Sequence, residues 1–577
     1  MNNFERTIVR QHIPDQRSSM LGGFSPLLQR IYHARGVAAS AELDYSLNAL
    51  IPPDQLGGTQ AAAQLLHQVM TEQGRILIVA DFDADGATSC ALAIRSLHAM
   101  GADNVNFMVP NRFNDGYGLT PAIAEKALSF QPDLVITVDN GISSIEGVRF
   151  LRDAGVAVLV TDHHLAGSEL PDANVIVNPN SPDEPFPSKN LAGVGVVFYV
   201  MIALRSYLRG QGWFTKRDIT EPNLADYLDL VALGTVADVV KLDHNNRILV
   251  KQGLARIRAG RCCELIGWIF KLAGKSLSAA RSSDLGFTVG PRLNAAGRLE
   301  DMSIGIVALL SDSSDKANET AYLLEDLNSA RKTIELEMKQ QAVADIDSFQ
   351  LGEEIPAGLC IYQERWHQGV IGILASRIKE RYNRPVIAFA DADNETLKGS
   401  ARSITGVHIK DVLESIAVAN PQILEKFGGH AMAAGLTLKR CDFELFSRYF
   451  EEEVGLRLNG KLPNGDIITD GSLAQHAPDI ELAQQLNEAG PWGQGFPEPL
   501  FDDQFEIIQQ RTVGGTHAKM MLRSVDTQES FDAIAFNQAE RLPDNSRATI
   551  HAAYRLDINE YQGVRRLQLL IEYFQVI

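Results

Sequence analysis

Three short stretches carry side chains that could act together as a reactive centre. Ile78-Val79-Ala80-Asp81-Phe82-Asp83-Ala84-Asp85-Gly86 places three carboxylates at alternate positions behind an apolar run. Thr137-Val138-Asp139-Asn140-Gly141 and Val160-Thr161-Asp162-His163-His164 repeat the theme, each with an acid just after a predicted strand. In an extended segment residues two apart share a face, so Asp81, Asp83 and Asp85 are expected to converge. Carboxylates crowded in this way repel one another unless a cation compensates them. A fourth acid, Asp238, lies in Gly234-Thr235-Val236-Ala237-Asp238. Carboxylate and imidazole donors together suit Mn²⁺, and Mg²⁺ where carboxylates and water dominate. Two such ions, about 3.5–4 Å apart, can activate water and stabilise a leaving oxygen on phosphorus. A calcium loop of the helix–loop–helix kind fits less well. Leu92 stands where its bidentate Glu is required, and the segment before the acids reads as a strand.

Positioning these groups requires strand ends that meet. From Arg75 the chain alternates apolar runs (76–79, 105–109, 134–138, 156–160 and 175–177) with helical stretches at 87–100 and 143–154. That rhythm predicts an α/β fold with a mainly parallel sheet, whose crevice lies beyond the carboxyl ends of the strands. The domain layout expected is an accessory segment at 1–69, an α/β domain at 70–312 and a connecting helix at 313–350. A second α/β domain at 351–460 and a β-rich domain at 461–577 complete it. Leu323, Leu327, Ala330, Ile334 and Met338 give the connecting helix one apolar face. In the second α/β domain, Lys398–Ser403 and Phe427–His430 read as glycine-bearing turns. Short strand-like runs at 505–508, 519–522, 531–536, 548–554 and 566–573 predict a small barrel or sandwich.

The 577 residues carry a formal net charge of −19, which excludes a protein that coats nucleic acid by bulk charge. The charge is uneven: residues 247–298 carry +8, leaving −27 for the rest. None of the five cysteines forms a Cys-x-x-Cys pair, which argues against a disulfide framework or a thiolate zinc site. No signal-peptide core and no long apolar run is found, so a cytoplasmic chain with no membrane span is expected.

In this order, DFDADG, VDNG, TDHH and GTVADVV resemble the DHH phosphoesterase superfamily, and GSARS with FGGHAMAAG resembles its DHH-associated second domain. GPRLNAAGRL and GPWGQGFPEPLF narrow the resemblance to the superfamily's single-strand-specific DNA exonucleases, over residues 70–577. The resemblance implies two lobes, a DHH domain and a DHH-associated domain joined by a long helix, followed by an OB-fold-like barrel. It implies metal-dependent hydrolysis of single-stranded DNA from the 5′ end to 5′-mononucleotides, in recombination and repair. Asp83, Asp85, Asp139, His163 and Asp238 are implied as ligands of two divalent cations, Mn²⁺ or Mg²⁺, with Asp139 as the bridge. Asp81 is implied as a further ligand or as support for one. Many members have a His where this chain has Val79. His164 is implied to contact the scissile phosphate or assist the leaving group.

The resemblance also implies phosphate contacts from Arg292, Asn294 and Arg298. Ser400, Arg402 and His430 are expected to contact phosphate because glycine-bearing turns let backbone N–H groups approach an anion. Phe531, Phe536 and Tyr554 are candidate stacking groups, although core packing competes for each. A cleft narrowed to one strand would explain single-strand selectivity. The expected partners are single-stranded DNA, single-strand-binding protein and a repair helicase, acting on a monomer. Two other functions stay open at this stage. One is a superfamily enzyme acting on short oligoribonucleotides or cyclic dinucleotides. The other is an inactive single-strand-binding scaffold.

Overall fold

The computed structural model describes residues 6–11, 21–111, 118–167, 169–349, 355–458, 465–543, 547–561 and 564–577. The chain divides into two compact units. The larger comprises Ile8–Gly297, Asp301–Leu324 and Ile467–Ile577, and the smaller is built mainly from Glu325–Asp466.

In the larger unit five parallel strands form one sheet, in the spatial order Val105–Met108, Ile76–Ala80, Leu134–Val138, Ala157–Thr161, Val175–Val177. The Ile76–Ala80 and Leu134–Val138 strands are fully buried, which is why they read as unbroken apolar runs. Leu77, Val79, Val135, Val158 and Val160 pack with helices Pro121–Leu128 and Ile145–Asp153 on one face. Val79 therefore lies in the core and offers no donor to the acids. Helices Ala84–Ala99 and Gly193–Gly210 contact the sheet as well as each other. Gly193–Gly210 has the length and hydropathy of a membrane span, but it is mostly buried within the fold and serves as a core helix.

A closed five-stranded barrel ends the larger unit, from Phe501–Val513, His517–Ser524, Ser530–Ala535, Thr549–Tyr561 and Val564–Val576. The alternation of buried and exposed residues along His517–Ser524 shows the expected two-residue period. Tyr554 is a core residue of this barrel, with its hydroxyl donating to Asp503 at 2.6 Å, so it is not a stacking surface. Phe536 is half exposed.

The N-terminal segment braces the larger unit. Ile8–Arg10 pairs in parallel with Ile467–Thr469. Arg10 Nε donates to both oxygens of Asp502 at 3.1 and 2.9 Å. Arg35 meets Asp470 through two hydrogen bonds of 2.8 and 3.0 Å, and both side chains are almost fully buried. Tyr32 stacks with Trp492 and Phe496, and the Arg247 guanidinium lies 4.2 Å from the Phe496 ring centre.

The smaller unit contains a mixed sheet in the order Lys426–Gly429, Ala433–Lys439, Thr396–Arg402, Val386–Asp391, Leu359–Tyr362. Both segments read as glycine-bearing turns are in fact largely strands. Thr396–Arg402 is paired on both sides, and Lys426–Gly429 is paired with Ala433–Lys439. Leu397, Gly399 and Ala401 face inward in strict alternation, and Gly399 fits beneath Phe389 and Leu436 where a larger side chain would collide. The glycine thus reports close packing in a sheet. Ser314–Phe349 forms the long connecting helix.

The Arg35–Asp470 pair supplies a stability test. Removing one partner strands a buried charge, so Arg35→Ala is expected to destabilise the larger unit by about 3–5 kcal/mol. Chemical denaturation followed by Trp fluorescence measures this; an unchanged midpoint would contradict the brace.

Candidate metal centre

The acid run does not stay extended. Asp81 follows the Ile76–Ala80 strand, Asp83 caps helix Ala84–Ala99, and Asp85 lies in the first turn of that helix. Asp83 Oδ1 accepts hydrogen bonds from the Asp85 and Gly86 amides at 3.0 and 3.1 Å. Capping by Asp starts the helix at Ala84, ahead of the first residue expected from the apolar pattern. Asp81 and Asp83 group with Asp139, whereas Asp85 groups with His163 and Asp238. Asp139, His163 and His164 form a third group, and within each group the donor atoms lie within 4.8 Å of one another. Asp139 and His163 each belong to two of the three, so the groups share members and form one cluster.

Asp139 holds a left-handed backbone at φ 62°, and its amide donates to Thr161 O at 3.1 Å. Such a conformation is costly for a residue with a Cβ and persists where its surroundings enforce it. Helix Gly193–Gly210 begins against this side chain. A Cβ on Gly193 would stand 2.7 Å from Asp139 Cβ, so only glycine fits. The same helix start holds Asp85: Gly193 N donates to Oδ2 at 2.6 Å and Val194 N to Oδ1 at 2.9 Å. A carboxylate at a helix N-terminus is favoured by the peptide dipoles there.

His163 is positioned through its backbone, with its amide donating to Asp162 Oδ1 at 2.7 Å and Asn180 donating to its carbonyl at 2.6 Å. Its Nε2 lies 3.1 Å from Asp139 Oδ1 and 3.4 Å from Asp238 Oδ2, yet makes no hydrogen bond. His164 Nδ1 bonds Asp162 Oδ1 at 2.7 Å, while Ile142 N donates to Asp162 Oδ2 at 2.9 Å. Asn140 links two strand ends by donating to Val79 O and Val138 O at 3.1 and 2.9 Å. From the side, helix Gly290–Leu299 bolts the acid loop. Asn294 Oδ1 accepts from Ala84 N at 2.8 Å, and Gly297 lies so close to Phe82 O that no Cβ could be fitted. Asp162, Asn140, Asn180 and Gly193 are the supporting residues that sequence reasoning passed over. Asp162 and Asn140 stood inside the motifs quoted, whereas nothing marked Asn180 or Gly193.

Burial dominates the electrostatics. It pushes the Asp85 carboxyl up to about 7, helped by Asp238, and the Asp238 carboxyl up to about 8, helped by Asp83. Asp139 is raised well above the usual carboxylate range by burial and by Asp85. Burial and the nearby His164 lower the His163 imidazole. Burial also works against charge on His164, but the Asp162 hydrogen bond and surrounding acids outweigh it and raise His164 to about 9. Asp162 stays low despite burial because His164 bonds it. A cluster that holds excess carboxylate charge at such cost, around an imidazole nitrogen without a hydrogen bond, fits divalent cations. The Asp81–Asp83–Asp139 group offers oxygen donors alone, and the Asp85–His163–Asp238 group adds an imidazole.

The other residues singled out lie in both units. Arg292 is buried and donates to Thr288 O at 2.7 Å. Arg298 counts with the smaller unit and donates to Gly369 O at 2.9 Å. Ser400 and Arg402 lie on the same face of the Thr396–Arg402 strand, with Arg402 Nη1 donating to Ser400 Oγ at 3.1 Å. They meet the start of helix Ile371–Tyr382, where a Cβ on Gly372 would stand 2.9 Å from each. His430 follows the Lys426–Gly429 strand, and its amide donates to Ala433 O at 2.8 Å. Much of the +8 window is committed to the protein itself: Arg247, Lys251, Arg256 and Arg258 all donate to main-chain carbonyls.

Comparison with known proteins finds the DHH family N-terminal domain at residues 75–235, the DHHA1 domain at 356–455 and the RecJ OB domain at 469–573. The single-stranded-DNA-specific exonuclease RecJ of Salmonella typhimurium is 50% identical over 566 residues, covering 98% of each chain. That of Haemophilus influenzae is 50% identical, covering 99% of this chain and all of its own. The crystal structure of RecJ in complex with Mn²⁺ from Thermus thermophilus superposes with a TM-score of 0.80 at 28% identity, covering 100% of this chain and 80% of that one.

Two measurements probe the centre. The Asp85 and Asp238 carboxyls have folded pKa values near 7 and 8, above their unfolded values. Folding therefore costs these groups increasingly as pH rises from the ordinary carboxylate range, and the loss is complete once pH passes about 7 to 8, where both are ionised in the metal-free fold. Mn²⁺ is expected to raise the unfolding temperature more at pH 8.5 than at pH 6; an equal rise would contradict the assignment. Second, Asp162→Asn is expected to bring the His164 pKa down from about 9 toward the ordinary histidine value, read by histidine ¹³C NMR of the metal-free protein. A pKa that stays near 9 would show that Asp162 does not set it.

Proposed function

The chain belongs to the RecJ family of single-stranded-DNA-specific exonucleases, and from that membership we propose that it degrades single-stranded DNA from the 5′ end to 5′-mononucleotides by metal-dependent hydrolysis. The observation that carries this reading is the set of donor groups that share Asp139 and His163. Asp81, Asp83 and Asp139 would hold one divalent cation, and Asp85, His163 and Asp238 the second, Mn²⁺ or Mg²⁺. Bound there, the ions supply an acidified water as nucleophile and positive charge for the leaving oxygen.

The chain's own residues do the rest. Asp162 orients His164 and favours its protonated form, so that its other ring nitrogen can donate to a phosphate oxygen or to the departing 3′ oxygen. Asn140 and Asn294 keep the strand ends and the acid loop in register. Phosphate contacts are assigned to Arg292, Asn294 and Arg298, and to the Ser400, Arg402 and His430 group. The protein-main-chain bonds of several of these cations would fix their heads rather than consume them, since a guanidinium has five donors. Work in the cytoplasm during recombination and repair, beside single-strand-binding protein and a helicase, completes the reading.

End-labelled substrates test it. Single-stranded DNA labelled at either end, duplex DNA and a short RNA are incubated with Mg²⁺ or Mn²⁺. Mononucleotides released from the 5′ end of single strands alone are expected. Preferential cleavage of the RNA would instead indicate an oligoribonuclease, and binding without hydrolysis a scaffold. Asp139→Ala is expected to abolish hydrolysis while leaving DNA binding measurable; retained hydrolysis would overturn the metal assignment.

A further inference from the structure

The larger unit contains a cavity of about 440 Å³, a size typical of small-ligand sites. Val236 and Val239, which flank Asp238 in sequence, form one wall. We propose that this cavity seats one nucleobase of the bound single strand, with Phe287 as its stacking face. The inference rests on the single-strand exonuclease reading and adds a base-binding position to it.

Two unfavourable local features meet at the cavity. Val239 holds a left-handed backbone at φ 62°, a conformation seldom tolerated by a β-branched residue, and its side chain is 63% exposed. Phe287 is 83% exposed, an unusual position for a phenyl ring. It lies on a single π-helical turn, Leu285–Val289, that runs directly into the helix bolting the acid loop. Strained backbone and π-turns cluster where a ligand must be met. Folding alone gives no reason to display this ring, whereas a stacking partner does.

The lining matches a nucleotide in chemistry as well as size. Leu242, Leu254 and Trp492 supply apolar wall for the flat faces of a base. Of the four cations in the lining, Lys251 and Arg258 are tied to main-chain carbonyls, which leaves Arg281 and Arg555 to meet a phosphate; the one carboxylate of the lining, Glu498, lies 3.9 Å from Arg555. Arg281 pairs with Asp557 at 2.9 Å and Arg555 with Glu572 at 3.3 Å, both partly exposed pairs that cost little to exchange for a phosphate. Val239 follows Asp238 directly in the chain, and the turn carrying Phe287 leads into the helix that holds the acid loop, so a strand bound at the centre is the occupant best placed to reach the cavity. Stacking tolerates any base, as a nuclease without sequence preference requires.

Binding of an oligothymidylate series, each member with one abasic nucleotide at a different position, is measured by fluorescence anisotropy in EDTA, so that no hydrolysis intervenes. In the wild type, one abasic position is expected to weaken binding about fivefold or more. In Phe287→Ala that position-specific penalty disappears, and in Phe287→Tyr it returns. The exposure of the ring leaves the core untouched by these changes, and matched unfolding temperatures confirm it. A penalty at the same position and of the same size in Phe287→Ala would overturn the proposal. So would saturable binding of thymidine monophosphate that depends on Phe287 when strand binding does not, which would make the cavity a free-nucleotide site. End-labelled hydrolysis by the wild type separates this inference from the function on which it rests: degradation of single strands without a position-specific abasic penalty overturns the inference alone.

Discussion

Asp85 and Asp139 are buried, Asp238 is mostly so, and a donor atom of each lies within a few ångströms of His163. Carboxylates in that situation cannot all keep their ordinary charge; either protons or cations must accompany them. This repulsion is the constraint to which the rest of the larger unit answers. The sheet brings three strand ends to one place, and the surrounding helices remove solvent from it.

The supports are redundant in direction. The first amides of helix Gly193–Gly210 hold Asp85 from one side, and its initial glycine clears the space occupied by Asp139. Asn294 holds the acid loop from another side, and Asn140 ties two strands across the sheet. The left-handed backbones of Asp139 and Val239 are strained conformations bordering the same centre. Local strain of this kind survives only within a rigid frame. The buried Arg35–Asp470 pair and the Tyr32–Trp492–Phe496 stack contribute to that frame, which gives the N-terminal segment a physical role.

Charge reads differently in three dimensions. Along the chain the +8 window resembles a continuous basic wall, yet Arg247 and Lys251 act as internal braces, donating to backbone carbonyls. Arg256 and Arg258 likewise bond main-chain oxygens. A long cationic side chain can serve packing and hydrogen bonding at the same time as electrostatics. A count of charges along a sequence cannot distinguish these uses.

Much of the fold is legible in the chain because parallel strands buried on both faces leave uninterrupted apolar runs, and the acids follow those runs directly. Asp139, His163 and the Asp-x-Asp-x-Asp pattern announce the centre by residue type alone. Two local errors show where that reading ends. Lys398–Ser403 reads as a turn because glycine and serine favour turns, but pairing on both edges and packing under Phe389 and Leu436 make most of it a strand. Asp81, Asp83 and Asp85 read as one extended comb, but helix capping by Asp83 sends Asp85 to a different partner set. Residue order alone establishes which donors exist and that they follow strands, because those properties are local and periodic. Which donors share a site is settled in three dimensions. That choice depends on contacts such as Gly193 with Asp139 and Asn294 with Ala84, between residues far apart in the chain, and no spacing rule records them.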